Sequence, residues 1–344
     1  MKKAINISAV LIIILFAFII IIKPEICLKS ALSGVLLCGN VIIPSIYPFG
    51  FCVLFINNSG ILNYMNKTDK LTKKLFGLNY YEFSIFLISL IGGYPMGAKI
   101  LANEKEEKSN LMIYYCINAG PGFIILAVGK GVFKNITLGW ILFFSHIVSS
   151  LIIMLILSNK AKKQVTVTKR KTPLSTIDNF VTSASDAADT VIRICGMVIL
   201  FSCVGGYIKY FSFYYKPLKI LSLLCEVTNA VCDCKNVLTA SFLLGFAGLS
   251  IWAQVFTLLK STKLNYLLFA LFRILHGAFS AFITYLLIKT LNISVATLSN
   301  GTSFQIKSFI NGPALAFSLI IMGIVLIISL YTKKYAGNLK EDIV

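Results

Sequence analysis

The sequence is short of charge, and shorter still of acid. Only 13% of its 344 residues are charged, and Asp plus Glu number 13 against 32 Lys plus Arg. A soluble domain carries about 25% charged residues, so a water-exposed globular protein is excluded, and disorder, collagen and coiled coil go with it. Catalytic signatures are missing too. There is no P-loop, no G-x-S-x-G, no H-E-x-x-H and no dense acidic cluster. The chain is therefore read as no enzyme and no ATP-driven pump, with no cofactor. No metal site is expected either. Of its nine cysteines, Cys38, Cys52, Cys116, Cys195 and Cys203 lie in apolar runs as small packing residues, and the lone Cys232-Asp233-Cys234 beside Cys225 lacks a second spaced pair.

What is abundant is apolar. Hydrophobic residues make up 57% of the chain and mean hydropathy is +0.85. Long uncharged stretches alternate with short basic clusters, which is how a polytopic membrane protein writes its spans and loops. The formal charge of +19 sits mainly in those loops, so it sets topology and meets lipid headgroups. Nucleic acid is not an expected partner, since no aromatic-basic pattern accompanies the charge.

Lys2 and Lys3 precede an uncharged run at 4–22 with no small-residue cleavage site, read as an uncleaved first span with a cytoplasmic amino terminus. The run at 30–66 contains Pro44, Pro48 and Gly50 and reads as one kinked or broken span. The run at 83–98 is centred on Gly92-Gly93-Tyr94-Pro95-Met96-Gly97, and the run at 111–129 on Asn118-Ala119-Gly120-Pro121-Gly122. Such centres free backbone groups that lipid cannot satisfy, so they must face protein or a water-filled cavity. A clean span at 135–159 follows, then the basic stretch 160–171.

The second half repeats the plan: spans near 191–213, 264–288 and 312–331, and an uncharged run at 236–259. A shift of 155 residues lays Gly93 on Gly248, Ala98 on Ala253, Lys99 on Gln254 and Gly122 on Gly277. If the interrupted segments are re-entrant, the 67–74 and 160–171 loops are both cytoplasmic and the second half is inverted. Lys333 and Lys334 then fall outside, against the positive-inside rule. The fold class expected is an all-α polytopic membrane protein of two inverted repeats with discontinuous or re-entrant helices. The count is about seven spans plus two re-entrant hairpins. Segments 83–108 and 236–260 could equally span.

Candidate site residues follow from polar groups at membrane depth. Lys99, just after Tyr94 and Pro95, is an anion contact or a snorkelling lysine. Arg273 lies too deep for easy snorkelling and should face the bundle interior, with His276 as relay or donor. His146 is read as a hydrogen-bonded packing residue. Asn118, Gly120 and Pro121 offer an amide, free carbonyls and a fixed bend. Ser250 and Gln254 are the counterparts of Pro95 and Lys99. Glu226, with Asn229, is a candidate for a coupling proton or Na+, or a cap carboxylate.

Pro44-Ser45-Ile46-Tyr47-Pro48-Phe49, Gly93-Tyr94-Pro95-Met96-Gly97-Ala98-Lys99, Asn118-Ala119-Gly120-Pro121 and Glu226-Val227-Thr228-Asn229, in this order, resemble the YlbJ-type sporulation integral membrane proteins. These carry the nucleoside-recognition, or Gate, domain, and concentrative nucleoside transporters are similar at the level of fold. The resemblance implies transport of dipicolinic acid across the outer forespore membrane, or the cytoplasmic membrane, of a spore-forming bacterium. It divides the chain into a membrane span at 1–29, a first Gate-like repeat at 30–159, a basic cytoplasmic linker at 160–177, a second Gate-like repeat at 178–332 and a polar tail at 333–344. The expected partners are a small anion, the bilayer, a coupling proton or Na+, and a second copy of the chain. The alternatives are a nucleoside transporter and a non-transporting scaffold for spore cortex assembly.

Overall fold

A computed structural model describes residues 2–63, 69–102, 111–161, 175–259 and 264–293. Residues 162–174 of the linker, the apolar run at 312–331 and the tail at 333–344 lie outside the described residues. Within them the chain is helical, without strands. Five helices are long and apolar enough to cross a membrane, or up to six if one bent pair counts as a span.

Helix α1 (Lys2–Ile22) exposes the apolar side chains of Ile7, Val10, Leu11, Ile12, Ile13 and Ile14, which suits a lipid-facing helix. Helix α2 (Pro24–Leu37) starts with its proline in the first turn, where a missing N–H costs nothing. It runs through a π-turn (Cys38–Ile42) into α3 (Ile43–Asn58). The wider turn lies just before Pro44, whose ring and missing N–H would clash with a regular turn, so the chain bulges and continues. The result is one candidate span of 35 residues, Pro24–Asn58. The first part of α2, with Glu25 and Lys29, thus belongs to the same helix as the run at 30–66.

A short basic helix α4 (Asp69–Phe76) is bent by 72° from α5 (Tyr80–Gly92). Asn79 and Glu82 form a reciprocal capping box that starts α5. After Gly93 comes α6 (Tyr94–Ala102). Residues 117–120 are unwound, then a π-helix runs over Gly122–Val132, followed by α7 (Ile136–Ala161).

The second half begins with α8 (Thr176–Phe211), at 36 residues the partner in length of the Pro24–Asn58 span. At 1.5 Å per residue both exceed roughly 50 Å, more than a hydrocarbon core of about 30 Å. They lie antiparallel: Cys203 Sγ meets Cys27 O, Cys38 Sγ meets Cys195 O, Asn58 Nδ2 meets Ser183 Oγ, and Asn179 Nδ2 meets Phe55 O. A hairpin of α9 (Leu218–Cys225) and α10 (Val227–Cys232) follows. Then come α11 (Val237–Phe246), α12 (Gly248–Leu258) and α13 (Tyr266–Thr290). Together α11 and α12 make a candidate span of 22 residues, so this segment is long enough to cross despite its break.

Helix α13 packs between α11 and α7, and α7 packs on the π-helix. Gly277, which the 155-residue shift lays on Gly122 of the interrupted first-half run, sits inside an uninterrupted α13. No proline follows it, and it serves contact instead: a Cβ on Gly245 would come 2.5 Å from Gly277 Cα. Close backbone approach through small residues is how helices associate in lipid. Ser241 hydrogen-bonds both Ser280 and Thr284 at 2.8 Å across the same seam.

Candidate functional site

Both breaks occur where the backbone turns left-handed. Gly93 has φ +83°, and Ala247 and Gly248 have φ +73° and +71°. Alanine there costs roughly 1–2 kcal/mol, so neighbouring structure must hold it. The loop at 117–121 lies against the first break: a Cβ on Gly120 would meet Ile91 O at 3.1 Å and Gly93 N at 3.4 Å. The tip of the α9–α10 hairpin lies against the second, where a Cβ on Gly248 would meet Val227 N at 2.9 Å. Each broken helix thus has a chain bend seated on it.

Ending α11 in the interior leaves four carbonyls without intrahelical partners. All four find donors. Leu243 O accepts from Ala247 N at 2.9 Å, and Leu244 O from the Tyr94 hydroxyl at 2.6 Å. Gly245 O accepts from Arg273, and Phe246 O from Trp252 Nε1 at 2.9 Å. Three of these donors are side chains, supplied by α6, α12 and α13.

Arg273 is fully buried and acts as a hub. Nη1 donates to Ile117 O in the unwound loop of the first half, and Nη2 donates to Gly245 O and to His276 Nδ1. Because arginine can only donate, His276 Nδ1 accepts, and His276 Nε2 carries the hydrogen that goes to His146 O at 3.1 Å. His146 Nε2 accepts from Ala119 N at 3.0 Å, and the two imidazoles lie tilted at 35° with centroids 4.4 Å apart. Among the described residues no carboxylate pairs with Arg273, and its buried Nε has no acceptor. Among the described residues the centre therefore holds a positive charge met by two carbonyl dipoles and the His276 ring nitrogen, with no carboxylate.

Of the residues singled out by sequence, Tyr94, Arg273 and His276 come together here. The backbone beside Asn118, Gly120 and Pro121 joins them. The Asn118 amide turns inward, donating to Tyr115 O at 2.8 Å and Ser89 Oγ at 3.2 Å, with its buried Oδ1 unpartnered. Pro95 is buried in the first turn of α6, and Pro121 leads into the π-helix. Lys99 stands apart, its ammonium reaching Asp186 O and Thr190 Oγ1 on α8, both at 2.8 Å. Ser250 and Gln254 pair with each other at 3.4 Å on α12, and the buried Gln254 Oε1 has no donor. Glu226 Oε2 caps α10 by accepting from Asn229 N at 2.6 Å, while Asn229 Nδ2 donates to Ser202 Oγ at 2.6 Å.

Sequence reasoning missed the part played by His146 and Trp252. His146 does pack and hydrogen-bond as expected, but on the site itself. Each belongs to a type present only twice in the chain, and a rare polar side chain at membrane depth was the available signal. Among the described residues no group of three or more His, Cys, Asp or Glu could hold a metal ion.

No family model matches the chain, and no solved structure matches it. It is similar to the sporulation integral membrane protein YlbJ of Bacillus subtilis (strain 168). The two are 22% identical over an alignment of 343 residues that covers 83% of this chain and 84% of that protein.

Proposed function

From the premise that the chain is of the YlbJ type, as its similarity over most of both lengths supports, we propose that it is a sporulation membrane transporter. It moves a small anionic aromatic solute, dipicolinic acid, by alternating access across the outer forespore membrane. Its two halves are inverted repeats, an arrangement favoured by the antiparallel packing of two spans of 35 and 36 residues at corresponding places.

The observation that carries this reading is the guanidinium of Arg273, buried between the two broken helices with no acid among the described residues beside it and its Nε–H unused. A buried cation without an acid favours an incoming anion, and a carboxylate is the acceptor that a guanidinium fork fits best. The amino ends of α6 and α12 start at the breaks and add their positive ends. Tyr94, Asn118, Ser250 and Gln254 supply the hydrogen bonds of a polar site within an otherwise apolar core. Lys99 shapes the site by tying α6 to α8.

The test is dipicolinate binding to purified protein, wild type beside Arg273→Ala and Lys99→Ala, with a nucleoside as competitor. A hydrogen bond to a charged group contributes about 1.5–3 kcal/mol, so Arg273→Ala should weaken binding roughly 10- to 100-fold. Binding of nucleoside alone would turn the reading into nucleoside transport, and binding of neither would make the chain a non-transporting scaffold.

A further inference from the structure

Glu226 is the acid that the structure isolates. It is 2% exposed and makes no ion pair among the described residues. One oxygen accepts from Asn229 N, and the other, Oε1, is buried without a hydrogen-bond partner. The titratable groups near enough to feel its charge are neutral ones: the Tyr94 hydroxyl on α6, Cys38 on the π-turn, and Cys225 and Cys232 on its own hairpin. The charged groups on elements packed around the hairpin are engaged or remote. Lys209 on α8 is paired with Asp233 at 2.8 Å, Lys130 on the π-helix is exposed, and Arg273 lies beyond Tyr94, bound to carbonyls. Thr228 and Asn229 donate toward the carboxyl at the start of α10, yet no cation among the described residues offsets the cost of burying its charge, so the neutral acid fits the site.

We infer that Glu226 carries the coupling proton of transport. The inference rests on the transport reading proposed above and names its driving ion. Sodium, the other candidate, needs several hard oxygen ligands, whereas the hydroxyl beside Glu226, on Thr228, already donates to the carboxyl and the nearby titratable groups are thiols and a phenol. A proton needs one oxygen, and Oε1 is the one available. The step forms a single O–H bond on Oε1 with a proton taken from one side of the membrane and breaks it by release to the other. Position gives it leverage: Glu226 immediately precedes Val227, whose N–H abuts Gly248 at the second break. The neutral acid lets the hairpin tip rest on the broken helix. The ionised one must find water, and the tip must leave the break to reach it.

The experiment uses the full chain in proteoliposomes with labelled dipicolinate. Uptake driven by an inward pH gradient, or by an inward Na+ gradient at equal pH, is compared with exchange at equal solute. For one proton per cycle, each pH unit supports about tenfold greater accumulation. The wild type should respond to the pH gradient and not to sodium. In Glu226→Gln the ratio of gradient-driven to exchange rate should fall to that without a gradient, and Glu226→Asp should restore part of it. A second measurement needs no variant: a hydrophobic carbodiimide, which reacts with protonated carboxyl groups, should label Glu226 at neutral pH in the wild type, read by mass spectrometry. Stimulation by sodium alone, gradient stimulation that survives Glu226→Gln, or an unlabelled Glu226 overturns the inference and leaves the transport reading standing. Absence of exchange in the wild type overturns the transport reading, and the inference falls with it.

Discussion

Tyr94→Phe is the cleanest probe of how the second break is held. The substitution removes one oxygen from a side chain that is 4% exposed and keeps the ring in place. The hydroxyl lost is the donor to Leu244 O at 2.6 Å. Leu244 is buried, so its carbonyl is left unpaired, and a buried unsatisfied group costs about 1–3 kcal/mol. Little opposes this, because the same change removes only one hydroxyl from the core. Thermal unfolding in detergent should fall by roughly 2–12 °C, taking about 2–4 °C per kcal/mol as for the larger domains. Tyr285→Phe is the control. That residue is 46% exposed, and its loss of a hydroxyl should stay within about 0.5 kcal/mol. Arg273 caps the adjacent carbonyl of Gly245, so Tyr94→Phe and Arg273→Lys should not add. A Tyr94→Phe protein as stable as the Tyr285→Phe control would refute the capping account of the break.

Three other expectations concern the frame around the site. Gly277→Val adds a branched side chain whose Cβ alone would come 2.7 Å from Phe242 O, and overpacking of this kind costs about 1–3 kcal/mol or more, so size-exclusion should show less folded monodisperse protein. Lys99→Met keeps the length of the side chain and removes its bonds to Asp186 O and Thr190. Limited proteolysis should then cut faster near α6, and an unchanged rate would contradict the tie to α8. Mild oxidation should join Cys27 to Cys203 and Cys38 to Cys195. With a protease site inserted in the 162–174 linker, the two halves would stay together on a non-reducing gel, whereas a parallel arrangement of the long helices would let them separate.

Composition alone settled the membrane class, because 57% hydrophobic residues with 13% charge leave no other solvent for this surface. Local chemistry placed the first break: Gly92-Gly93-Tyr94-Pro95 frees backbone groups wherever it sits, and the chain turns left-handed at Gly93. The matched position in the second half located the other break, although the left-handed residues there are Ala247 and Gly248. The same matching failed at Gly277, since glycine without a following proline permits a bend but does not require one. Tertiary structure decided who caps whom. Tyr94 reaches Leu244 across 150 residues, and Arg273 reaches Ile117 across 156. No local pattern encodes such pairs, because each partner is a carbonyl that every residue carries. A charge inside an apolar run singled out Arg273, and an acid outside any obvious loop singled out Glu226. Only the packing of distant segments gave one its carbonyls and left the other with an empty oxygen.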